Sequence, residues 1–238
     1  MTNQTPHYRA IILIIASNEN KVFENARQIW KKYMTVNPKI KVFFVYGKLE
    51  NPLLDVNPEH DLIYPEIEEN YPFLIKKNIE ALKYIQTNYQ YDYLIRTNLS
   101  TFWDFYHLEK HLDSLPPQTC YSGTMFPTFV SGTDIILSKD NVNKLIENEQ
   151  LINEQLPDDV AIGDVLNEKL HVPITNKSDL MYWFPDDSDE KVIQENIYKA
   201  QKDGCSHYRV YTQNREIYDM LIYKNLLKII YGIDFQEK

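Results

Sequence analysis

An α/β sandwich, with a mainly parallel central sheet flanked by helices, is the fold class this sequence predicts, on three observations. Strand-length apolar runs alternate with helix-spaced segments through the first half of the chain. The first run, Ala10-Ile11-Ile12-Leu13-Ile14-Ile15-Ala16, is apolar without interruption, as in a strand buried on both faces. This run and a later one ending at Thr97 each pass into a polar turn, and ligands of such sheets bind outside the carboxyl ends of the strands.

The elements follow in order. The first run ends at Ser17-Asn18, and Phe23, Ala26, Ile29, Trp30 and Tyr33 then carry helical spacing over 21–33. Residues 41–47 read as a second strand and 61–64 as a short third. A helix is predicted over 71–84, with Pro72 tolerated in its first turn. Residues 91–97 form the next strand, followed by the polar turn 98–101 and a helix over 104–115. Past Pro116-Pro117 come short β pieces, notably 134–138, then helices from Lys139 and near Asp159. An Asp-rich loop and an amphipathic helix over 215–231 complete the chain. No Pro/Gly/Ser-rich linker or charge run interrupts the 238 residues, so residues 1–238 read as one domain.

Composition excludes several functions. With 43% hydrophobic and 13% aromatic residues the chain can bury a substantial core. Its net charge of −9 argues against nonspecific nucleic-acid binding, which needs a concentrated basic face; only a local basic pocket would hold an anion. The first apolar run stops at Ala16, too short for a membrane span and unlike a signal peptide. Cys120 and Cys205 have no metal spacing and read as free thiols, so a cytoplasmic or other reducing compartment is expected. There are 6 glycines, where average usage gives about 17. None forms the Gly-x-Gly-x-x-Gly or Gly-x-x-x-x-Gly-Lys cradle, so the usual dinucleotide and P-loop sites are not expected.

The order of several short motifs over residues 10–170 resembles the beta-1,3-galactosyltransferase and fringe family of inverting glycosyltransferases of the GT-A type. These are Arg27-Gln28-Ile29-Trp30 after the first strand, and Glu69-Asn70-Tyr71 leading to Leu74 and Lys77. Arg96-Thr97-Asn98-Leu99-Ser100 follows at the strand end, then Ser131-Gly132 before an apolar strand ending in Ser138, and Asp158-Asp159-Val160-Ala161-Ile162-Gly163. The last seventy or so residues match less well. The resemblance implies a Rossmann-like nucleotide-sugar-binding fold and transfer of a hexose from a UDP-sugar to a hydroxyl of a glycan or glycoprotein. Family members normally carry a membrane anchor; the absence of a membrane span here leads us to expect a soluble acceptor in a cytosolic or viral setting.

The resemblance also assigns residues. Asp159 stands at the catalytic position, where a base takes the acceptor proton. An Asp at a helix start is also a common N-cap, a role open to Asp158. Ser17, Asn18, Tyr71 and Lys77 fall near the donor. Where the family places aspartates on a divalent ion, this chain has Asn98-Leu99-Ser100, without a carboxylate; hard cations prefer charged oxygens, so tightly bound Mn or Mg is not expected. Cations of the protein are the alternative. Segment 199–215 holds Lys199, Lys202, His207, Arg209 and Arg215 against one acid, Asp203. Arg209, with His207 and Arg96, is the candidate to hold the departing diphosphate, because guanidinium grips phosphate bidentately at any pH. A solvated charged surface is the competing account of that segment. Trp183 and Phe184 read equally well as sugar-stacking or as core residues. Two other functions stay open: a degenerate domain that binds a glycan or partner without catalysis, and a nucleotidyltransferase.

Overall fold

The computed structural model describes residues 6–49, 55–70, 74–175, 181–185 and 189–236. Its main sheet contains β1 (His7–Ile15), β2 (Ile40–Tyr46), β3 (Asp61–Ile63), β4 (Gln90–Asn98), β6 (Tyr121–Ser122) and β7 (Ile135–Ser138), in the order β3-β2-β1-β4-β7-β6. A second sheet of three short strands, β5 (Thr101–Trp103), β8 (Met181–Trp183) and β9 (His207–Arg209), has the order β5-β9-β8.

The α/β class is borne out, with one correction. The main sheet is mixed: β3, β2, β1 and β4 run parallel, whereas β7 pairs antiparallel with both β4 and β6. The first four strands are joined by crossovers, two of which contain helices α1 (Lys21–Tyr33) and α2 (Leu74–Asn88). Between β4 and β7 the chain instead leaves the sheet through β5 and α3 (Phe105–Ser114), re-enters it in β6 and turns back, so that β7 runs against both β4 and β6.

Helices cover both faces. The even residues of β1, Ala10, Ile12 and Ile14, pack with α1, α3, α6 (Glu190–Lys202) and α7 (Met220–Tyr231). The odd residues, Ile11, Leu13 and Ile15, pack with α2, α4 (Lys139–Glu147) and α5 (Asp158–Gly163). Alternate side chains of a strand point to opposite faces, so β1 must be apolar from Ala10 onwards to fill two cores. Burial of that kind contributes about 25 cal/mol per Å² of apolar area. Helix α1 has the predicted bounds because Asn20 caps it, its Oδ1 accepting from the Phe23 amide at 3.1 Å. Among the described residues, no helix is long and apolar enough to cross a membrane. Both cysteines are buried and free.

Candidate functional site

Strands β1 and β4 are neighbours, and the chain runs from β1 to β2 on one side and from β4 towards β7 on the other. Such a reversal opens a crevice beyond the carboxyl ends of the strands. A cavity of about 300 Å³ lies there, bounded by the cations Lys77, Arg209 and Arg215, the carboxylates Glu19 and Glu69, and the neutral Ser17, Asn98 and Ser100, with Phe23 and Tyr211 as aromatic walls.

The polar turn after β4 and the basic segment near the C-terminus meet in this cavity. Arg209 Nη1 donates to Asn98 Oδ1 at 2.6 Å and to Ser100 Oγ at 2.8 Å. Antiparallel pairing of β5 with β9 makes the contact, by placing Arg209 opposite Thr101. Asn98 Oδ1 also accepts from Ser100 Oγ and Thr101 Oγ1, each at 3.1 Å. Every partner is neutral, and among the described residues no carboxylate pairs with Arg209. Burial lowers its pKa from the ordinary arginine value, and the charges of Arg215 and Arg96 push the same way.

Arg215 supplies a second cation. Its Nε donates to Asp219 Oδ2 at 2.9 Å, while its buried Nη2 has no hydrogen-bond partner. Tyr211 lies against both guanidiniums, its ring centre 5.2 Å from Arg209 Cζ and 4.6 Å from Arg215 Cζ. The Arg215 charge is met by Asp219, so its contribution to a ligand is the unpartnered Nη2. Arg209 is half-buried and, among the described residues, has no counter-ion, which is costly and suits the site to an anionic ligand.

The divalent ion that the resemblance implies does not fit the turn. Its two side-chain oxygens, on Asn98 and Ser100, are neutral and both accept from Arg209. Among the described residues no group of three His, Cys, Asp or Glu side chains is placed to hold a metal.

Other expected residues occupy different places. Ser17 lines the cavity, and its Oγ accepts from the Glu19 amide at 3.2 Å. Asn18 lies in the same β1–α1 loop but is not among the residues bounding the cavity. Tyr71 falls outside the described residues. Lys77 stands in the cavity wall with its side chain fully buried, Nζ 2.5 Å from Glu69 Oε2 and 2.8 Å from the Ala16 carbonyl. Burial lowers its pKa against the opposing pull of Glu69. Lys77 therefore ties the β1 terminus to α2, with its charge matched by Glu69.

Two of the expected phosphate-binding cations require correction. Arg96 is buried and ion-paired with Asp158, Nη2 to Oδ2 at 2.5 Å, and also donates to the Gly132 carbonyl; its charge is already balanced. His207 is 2% exposed, with Nε2 3.3 Å from Asp134 Oδ2 and its ring stacked on Trp103 at 4.6 Å. It shares a face of β9 with Arg209, but two residues along a strand is about 6.6 Å, enough to move from cavity to core.

The acidic pair is also arranged differently from expectation. Asp158 caps nothing: Pro157 occupies the N-cap, and Asp158 is the buried partner of Arg96. Asp159 is half-buried, with Oδ2 accepting from the Gly132 amide and Oδ1 from the Val160 amide, each at 2.9 Å. The Gly132 carbonyl accepts from Asn98 Nδ2 at 3.3 Å, so a single glycine separates Asp159 from the cavity rim. Gly132 is required: a Cβ there would run into the Arg96 guanidinium and come within 3.2 Å of Asp159 Oδ2.

The expectation did not assign Arg215, Phe23 and Tyr211 to the site. Arg215 had a signal, since it belongs to the basic segment. The two aromatics had none, because nothing in their spacing separates cavity walls from core.

Models of known protein families and curated protein sequences give no match to this chain.

Proposed function

We propose that the chain is an inverting glycosyltransferase with a GT-A-like site, which takes a nucleoside-diphosphate sugar, a UDP-sugar by the resemblance above, and holds its diphosphate with arginine rather than a divalent ion. The observation that carries this reading is Arg209: a guanidinium at a sheet switch point, lining a cavity, whose hydrogen-bond partners among the described residues are the neutral side chains of Asn98 and Ser100. Fixed cations aimed at a leaving group stabilise the charge that develops as the bond breaks. Arg209 and Arg215 would do this for the diphosphate, and the cavity of about 300 Å³ falls at the lower end of small-ligand sites.

Transfer is a single displacement. The acceptor oxygen forms a bond to the anomeric carbon as the bond from that carbon to the phosphate oxygen breaks, and the electron pair leaves with the nucleoside diphosphate. The acceptor proton passes to a carboxylate, the role assigned to Asp159. Its two oxygens accept one backbone hydrogen bond each, which leaves lone pairs for the proton. Asp158 is unsuited, since it is buried and already ion-paired with Arg96.

The test is binding and slow hydrolysis across UDP-, GDP- and TDP-sugars, with Mn present and with EDTA. We expect one donor to bind and to be cleaved at the same rate in both conditions. Arg209→Ala should weaken donor binding about 10- to 100-fold, the range for a hydrogen-bonded charge. Asp159→Asn should keep binding and lose turnover by about 100-fold or more. If no donor binds in either condition the reading fails, and the noncatalytic glycan-binding domain takes its place. Release of pyrophosphate would indicate a nucleotidyltransferase instead.

A further inference from the structure

We propose that Trp183 is a stacking platform for a pyranose ring at the mouth of the Arg209 cavity; the inference rests on reading that cavity as a diphosphate site. Across the small sheet, Thr101, Arg209 and Trp183 form one row: Thr101 pairs with Arg209 from β5, and Trp183 from β8. Residues paired across neighbouring strands project on the same side, with strands about 4.8 Å apart. Trp183 therefore flanks Arg209 on the side away from the Asn98 turn.

The exposure of this tryptophan is the second observation. Trp183 is 57% exposed, whereas its neighbour Phe184 is 2% exposed and packs edge-on to Tyr182 at 5.1 Å. An isolated exposed Leu or Ile is ordinary, but a bare indole on an edge strand beside an unmatched cation points to a ligand. Tyr211, 50% exposed, lies against the guanidinium of Arg209, and Trp183 stands beside Arg209 in the strand register.

The position of each ring determines what it meets. Tyr211 and Phe23 bound the cavity and Trp183 does not. A group touching Trp183 thus lies beyond the phosphates, where a sugar ester extends. The C–H faces of a pyranose are apolar and pack on an aromatic face, while its hydroxyls remain in water.

Calorimetric titration with UDP, UDP-glucose, UDP-galactose and UDP-N-acetylglucosamine, together with a panel of free oligosaccharides, tests this on wild type, Trp183→Ala and Trp183→Phe. We expect Trp183→Ala to weaken the bound sugar nucleotide about tenfold and to leave UDP unchanged, with Trp183→Phe retaining most of the affinity. Circular dichroism of the variants should match wild type, because the side chain is exposed. Equal losses for UDP and sugar nucleotide, no loss for either, or no sugar-bearing ligand bound by wild type would each overturn the platform. Wild type that binds an oligosaccharide but no nucleotide, with binding lost in Trp183→Ala, retires the transferase reading and leaves the platform standing.

Discussion

Two arginines on either side of Asn98 have opposite surroundings. Arg96, two residues back along β4, is buried against Asp158 and the Gly132 carbonyl. Arg209, arriving from β9, finds its hydrogen-bond partners among the described residues in the amide oxygen of Asn98 and the hydroxyl of Ser100. One charge is matched inside the protein and the other is not. A matched buried charge is structural, because removing either partner strands the other in a low-dielectric interior. An unmatched charge facing a cavity is maintained at a cost to stability and is suited to a ligand. The same division holds along β9, where His207 is set against Asp134 and Arg209, two residues on, pairs with no carboxylate among the described residues.

The contrast can be broken most forcefully at Arg96. Arg96→Met leaves Asp158 buried and unpaired, and we expect a loss of about 3–5 kcal/mol in denaturant unfolding. A loss below about 1 kcal/mol would mean that Arg96 is not structural. Gly132→Ala comes next, since its Cβ would strike the Arg96 guanidinium; about 1–3 kcal/mol of overpacking should appear, with Asp159 displaced. The corresponding change at the other arginine, Arg209→Met, should cost less than about 1 kcal/mol in stability while weakening diphosphate binding. That split between stability and binding, read by unfolding and by titration on the same samples, is the sharpest form of the comparison.

The smallest effect is a pH dependence. Asp134 is fully buried, which by itself would raise its pKa, but the facing His207 and hydrogen bonds from Thr133 and the Thr124 amide hold it below the ordinary value. A carboxylate with a depressed folded-state pKa stabilises fully above its unfolded value, about 3.9, and the contribution is lost as pH falls through the folded value. Stability should therefore decline below about pH 4, and Asp134→Asn should flatten that acid limb. An unchanged limb in the variant would assign the decline to other carboxylates.

Much of this was legible along the chain. The uninterrupted apolar run of β1 specified a strand between two cores, and the spacing from Phe23 to Tyr33 specified α1 with its bounds. The Asn98–Ser100 turn and the basic segment containing Arg209 stood out as polar groups in suggestive company. The second sheet was not legible, because β5, β8 and β9 have three residues each, too few to display a period of two. The antiparallel arrival of β7 was hidden for a similar reason: a four-residue apolar strand reads the same in either direction.

Local chemistry thus determined which groups were available: the strands, the neutral turn, the cations near the C-terminus and the aspartate pair that opens α5. Only the tertiary structure decided how they are matched. Arg96, His207 and Arg209 look alike in sequence, yet among the described residues two meet carboxylates and one does not. Those carboxylates come from residues 62 and 73 positions away in the chain, Asp158 and Asp134. Whether a charge is neutralised depends on what stands within a few ångströms of it, and for long-range pairs that distance is fixed by the packing of sheet against sheet and helix.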